Sequence, residues 1–151
     1  MSSQKDCRNC DWMELNKLLE GNVVILGVGN ELRGDDGVGV YIASRLNGKN
    51  VINAGVAPEN FVGKIKRMKP ERIVIFDALD FGGRPGDIRI VDARKTEGLK
   101  VSTHSLPLSF FSKLFEKTEI YVVGIQPKSN EFGSKMSREV KKGAERLISG
   151  L

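Results

Sequence analysis

The sequence predicts an α/β fold, a three-layer α/β/α sandwich around a mostly parallel twisted sheet of about five strands. Three observations lead there. Apolar runs of strand length alternate with segments of helical periodicity along most of the chain. The first strand pattern runs straight into a glycine loop, Gly27-Val28-Gly29-Asn30-Glu31-Leu32-Arg33-Gly34-Asp35-Asp36-Gly37, which opens a helix. A chain of 151 residues, 40% hydrophobic and 28% charged, is long enough for one well-formed core and too short for two comfortable ones. Residues 1–21 read as an N-terminal extension with a short helix, and 22–151 as a single α/β domain.

The elements follow in order. Trp12, Leu15, Leu18 and Leu19 recur at helical spacing before Gly21 and predict a short helix packed on the domain edge. Val23 to Val28 reads as a strand buried on both faces, and Gly37 to Leu46 as the helix it feeds. Val51 to Asn53 predicts a short second strand, and Ala57-Pro58-Glu59 opens a helix through Met68. Arg72 to Asp77 is a third strand, with Asp77 at its end. After the turn cluster Gly82-Gly83-Arg84-Pro85-Gly86, the run from Asp87 to Asp92 alternates polar with apolar, as an edge or antiparallel strand does. A polar loop leads to Leu108–Phe115 as a helix, Ile120–Ile125 as a buried strand, a loop over Lys128–Lys135, and a final amphipathic helix from Ser137 to Ile148.

The glycine loop sets the class of ligand. Such a loop after a first strand usually cradles phosphate, because small residues let backbone N–H groups approach an anion. Here the dinucleotide pattern fails at Leu32, which stands where the third glycine belongs. Gly29 and Gly34 have P-loop spacing, yet Asp35 and Asp36 follow where Lys and Ser or Thr are required. Two carboxylates repel a phosphate and suit a cation or proton transfer.

In open α/β sheets, ligands bind beyond the carboxyl ends of the strands, and a flavodoxin-like order places the crevice between the first and third. Asp35, Asp36 and Asp77 then face one cleft. His104, the single histidine, lies in a loop leading to a helix. Asp36, Asp77 and His104 together would offer two oxygen ligands and one nitrogen ligand, with coordination positions left open. Bland alternatives stand beside this: Asp35 or Asp36 as a helix cap, Asp77 bonding loop amides, and His104 as a structural or surface residue. Asp35 and Asp36 are neighbours whose side chains diverge, so they make no dyad alone, whereas Asp36 with Asp77 could share a proton. No His-Glu-x-x-His or Gly-x-Ser-x-Gly occurs, and no cysteine lies inside the domain core.

Composition narrows the partners. A net charge of +5 with interspersed acids gives no nucleic-acid signature, and the longest apolar runs are strand-length, so a cytoplasmic protein without membrane insertion is expected. The basic cluster Lys64, Lys66, Arg67, Lys69 and Arg72 reads as a solvated helix face or a docking patch. Cys7 and Cys10 form a Cys-x-x-Cys with too few companion ligands for zinc and no preceding strand for a thioredoxin motif, so a reduced pair on the extension is expected.

Six ordered runs carry a family resemblance. They are Gly29-Asn30 through Asp35-Asp36-Gly37, Ala57-Pro58-Glu59-Asn60, Phe76-Asp77-Ala78-Leu79-Asp80, Pro85-Gly86 before Ile88-Arg89-Ile90, Thr103-His104 before Leu106-Pro107-Leu108, and Gly124-Ile125-Gln126-Pro127. In these the chain resembles the hydrogenase maturation endopeptidases, which remove a carboxy-terminal extension from the large subunit of nickel-iron hydrogenases. It is most similar to the branch serving formate-hydrogenlyase-type hydrogenases. The resemblance implies a peptidase whose metal-contacting residues are Asp36, Asp77 and His104, with Asp36 and Asp77 catalytic. It also implies that nickel is carried by the partner, the large-subunit precursor; a monomer or weak oligomer is expected. Where related sequences often carry a glycine pair followed by a hydroxyl residue, this chain has Asn53-Ala54-Gly55-Val56. Two rival readings remain at this stage: a non-enzymatic nickel-checking or metal-binding module using the same three residues, and a nucleotide-binding protein favoured by the glycine loop.

Overall fold

The uninterrupted apolar run Val23–Val28 has a structural cause, since the strand it forms is covered on both faces. The computed structural model describes residues 12–48, 50–95, 100–101 and 108–151. Its strands are β1 (Val23–Val28), β2 (Val51–Gly55), β3 (Arg72–Asp80), β4 (Ile88–Asp92), β5 (Lys100–Val101) and β6 (Glu119–Ile125). Its helices are α1 (12–18), α2 (Val38–Arg45), α3 (Val62–Met68), α4 (Leu108–Leu114) and α5 (Arg138–Ser149).

The main sheet has the order β2-β1-β3-β6-β4. β1 pairs in parallel with β2 on one side and β3 on the other, β3 pairs in parallel with β6, and β4 closes the edge antiparallel to β6. The mostly parallel five-stranded sheet and the antiparallel edge strand both match the sequence expectation. Along β3, Ile73 and Ile75 point into one core with Ile65 of α3 and Phe111 of α4, while Val74, Phe76 and Ala78 point into the other. That second core is completed by Leu15 of α1, Val38 and Ile42 of α2, and Val140, Ala144 and Leu147 of α5. Helices on both faces thus give three layers, and the strands they cover read as continuous apolar runs rather than alternating ones.

Several boundaries differ from expectation for identifiable reasons. β2 runs to Gly55, and the helices after β1 and β2 begin as tight 3-10 turns, Gly34–Gly37 and Pro58–Phe61. Asp77 does not end the third strand. The β1 ladder stops at Phe76, but β3 continues to Asp80 because Asp77 and Ala78 pair with β6, and Leu79 and Asp80 pair with β5. β5 falls in the expected polar loop and is too short to show a period.

Close packing of α2 on the sheet places the loop that precedes it. A Cβ on Gly39 would run into the carbonyl oxygens of Phe76 and Val28, and one on Gly27 would meet Ala43 and the Gly39 carbonyl. The start of α2 therefore rests directly on the carboxyl ends of β1 and β3. Gly39→Ala is expected to lower stability by about 2–3 kcal/mol, read as a drop in the urea midpoint, because backbone rather than a flexible side chain blocks the added methyl.

Candidate active site

Gly29 is where the loop turns back on itself. It takes φ +143°, a value that favours glycine, and its N–H donates to the Gly55 carbonyl at 2.9 Å, tying the loop to the end of β2. A Cβ there would strike the backbone oxygen of Asp36 and stand 3.7 Å from Oδ1 of Asp77. The glycine is thus bordered by the two aspartates that the sequence singled out. Asp36 is 4% exposed and Asp77 is fully buried.

Asn30 shapes the next turn. Its Oδ1 accepts from Leu32 N–H at 2.9 Å, its carbonyl accepts from Arg33 N–H at 3.0 Å, and its own N–H donates to Asp36 Oδ2 at 3.1 Å. The other oxygen, Asp36 Oδ1, is buried without a hydrogen-bond partner among the described residues. A buried anionic oxygen left in that state is costly unless a cation or a proton-bearing group approaches it. Asp77 Oδ1 accepts from the N–H of Ala78 at 2.8 Å. The bland reading of Asp77 as a residue that bonds nearby amides is therefore met in part, alongside its place next to Gly29.

Asp35 goes elsewhere. Its carboxylate accepts four hydrogen bonds: from the N–H groups of Lys128 (2.8 Å), Ser129 (3.0 Å) and Ser137 (2.6 Å), and from the Ser137 hydroxyl (3.0 Å). The expected divergence of the two neighbouring side chains is observed. The helix-cap alternative is not: no side chain caps the 3-10 turn or α2, and Asp35 and Asp36 lie inside that turn. Asp35 instead anchors the 128–137 loop and Ser137, the N-cap of α5, against the glycine loop.

Sequence reasoning gave no role to Asn30 or Gln126, although both lie in the runs that carry the resemblance. Gln126 is 7% exposed and ties the strand ends together: Oε1 accepts from Phe81 and Gly83, at 2.9 and 3.0 Å, and Nε2 donates to Asp80 Oδ1 at 3.1 Å. A polar residue closing a buried strand, just before a proline, was the available signal. His104, Cys7 and Cys10 lie outside the described residues. Among the described residues no group of three or more His, Cys, Asp or Glu side chains is placed to hold a metal ion. Among the described residues the site comprises two buried carboxylates, one with an unpartnered oxygen, donors of the kind that can share a metal or handle a proton. No described helix is long and apolar enough to cross a membrane.

Comparison with known proteins decides the family. Residues 40–151 match the family described as hydrogenase maturation protease. The chain belongs to the hydrogenase maturation proteases. It is 35% identical over 136 residues to the hydrogenase 3 maturation protease of Escherichia coli K12, covering 85% of this chain and 87% of that one. It superposes on the crystal structure of the NiFe hydrogenase maturation protease HycI from Thermococcus kodakarensis KOD1 with a TM-score of 0.79 at 39% identity, covering 90% of this chain and 94% of that one. The solution structure of an endopeptidase HycI from Escherichia coli gives a TM-score of 0.74 at 33% identity, covering 85% and 88%. As a member of this family the chain is a peptidase, which sets aside the non-enzymatic and nucleotide-binding readings of the glycine loop.

Proposed function

We propose that this maturation protease is a cytoplasmic endopeptidase that removes the carboxy-terminal extension of a nickel-iron hydrogenase large-subunit precursor after nickel has been inserted. Asp36, Asp77 and His104 contact the nickel carried by that substrate. The observation that supports this most directly is the buried Asp36 Oδ1, unpartnered among the described residues, in a turn where Gly29 packs against both the Asp36 backbone and the buried Asp77 carboxylate. An acceptor held out of water without a donor is poised for a positive group that arrives with the substrate. Oxygen and imidazole donors compete poorly with thiolates for nickel, so such a set can sense a loaded site without extracting its metal.

In the cleavage step, Asp36 and Asp77 position water against the scissile carbonyl. One carboxylate accepts a proton as the oxygen of water bonds to the carbonyl carbon. The C–N bond then breaks and the proton passes to the departing amine, so that water is consumed and two peptide ends result. His104 completes the contact with the substrate's metal. Mass spectrometry of a purified nickel-loaded precursor tests the reading. The native enzyme is expected to shorten it, and Asp36→Ala, Asp77→Ala and His104→Ala to leave it at full length. Normal processing by all three variants would overturn the assignment, and an unchanged precursor mass with the native enzyme would overturn the substrate.

A further inference from the structure

The described surface exposes five large hydrophobic side chains, and their distribution is uneven: Leu32, Val56 and Phe132 flank the glycine loop, while Met13 and Leu151 lie by the terminal helices. Leu32 is 62% and Phe132 69% exposed. Neither packs into either core. Both are nevertheless held in place. Gly133 N–H donates to the Leu32 carbonyl at 2.6 Å, and the Arg33 guanidinium stands 5.7 Å from the centre of the Phe132 ring. The bonds to Asp35 pin the two loops to each other, and the Gly29–Gly55 bond holds the residue before Val56 against the start of the loop.

We propose that Leu32 and Phe132, with the Arg33 guanidinium beside the Phe132 ring, form the surface on which the precursor docks an apolar segment next to its cleaved bond. This rests on the proposed processing of a large-subunit precursor. The surface is continuous with the proposed cleavage site, since Asp36 N–H donates to the Arg33 carbonyl at 3.1 Å, so that Leu32, Arg33 and the Asp36 carboxylate belong to one turn, to which the Gly133–Leu32 bond ties Phe132. Exposed Leu and Phe that serve no core are explained by an apolar partner, and two loops fixed in advance lose little freedom when it binds. Arg33 adds donors for the backbone carbonyls of the same segment, whose polar groups would otherwise be stripped of water.

Steady-state processing of purified nickel-loaded precursor by Leu32→Ser, Phe132→Ser, the double variant and Met13→Ser tests the surface. Removing binding shared by the ground and transition states raises KM and leaves kcat nearly alone. The expectation is a KM raised about fivefold in each single variant and about thirtyfold in the double, with kcat held within about twofold. Met13→Ser, on α1, should match the native enzyme, and thermal melting should be unchanged throughout because the replaced side chains are exposed. An unchanged KM in the double variant would overturn the proposal while leaving the protease assignment standing. So would a native dimer that the double variant converts to monomer with KM intact, since the surface would then serve a second copy of this chain. A native enzyme that leaves the loaded precursor uncut would instead overturn the processing function itself.

Discussion

Asp36→Asn is expected to slow precursor cleavage by about 10²–10⁴-fold while leaving the protein as stable as before, or more stable by about 1 kcal/mol. The two effects have one origin. Oδ2 of Asp36 accepts a hydrogen bond from Asn30, but among the described residues Oδ1 is buried with no donor, so the fold leaves an acceptor unsatisfied there. An amide keeps an oxygen for Asn30 and removes the charge, which relieves the fold. It also removes the capacity to accept a proton or to face a cation. Chemical denaturation and single-turnover cleavage of the nickel-loaded precursor measure the two sides. A clear fall in stability with cleavage intact would show that Asp36 is a structural carboxylate.

Its neighbour should behave in the opposite way. Asp35→Ala is expected to cost about 4 kcal/mol of folding stability, a large part of the roughly 5–15 kcal/mol by which a domain of this kind is stable. The carboxylate accepts from three backbone N–H groups and one hydroxyl, which join the turn before α2 to the N-terminus of α5. Alanine leaves those partly buried donors without their acceptor and releases the N-cap Ser137 from its anchor. Asp35→Asn should cost about half as much. Its oxygen can replace Oδ2, which accepts three of the four bonds, but its NH₂ then confronts the N–H of Ser137. Urea denaturation of the two variants gives the comparison. Equal, small losses would mean that the loop is held mainly by other contacts.

Much of the fold was legible because its signals are local. The runs Val23–Val28 and Ile120–Ile125 are apolar throughout since helices cover both faces of their strands, and the alternation from Asp87 to Asp92 marks an edge strand paired on one side. The unexpected parts are those whose cause is remote. β3 extends past Asp77 because β5, two residues long, pairs with its end. Gln126 acquires a role only because Asp80, Phe81 and Gly83 lie beside it.

The sequence by itself determined the layered α/β architecture and the glycine loop after β1, with two carboxylates where a phosphate loop needs Lys and Ser or Thr. It did so because burial on two faces, helical period and the sign of side-chain charge are written into consecutive residues. Asp35 and Asp36 are chemically identical and adjacent, and nothing local distinguishes them. The resemblance singled out Asp36, and the tertiary structure supplied the physical difference, by bringing the 128–137 loop, about 100 residues away, to satisfy the Asp35 carboxylate while, among the described residues, an oxygen of Asp36 stays buried and unpartnered.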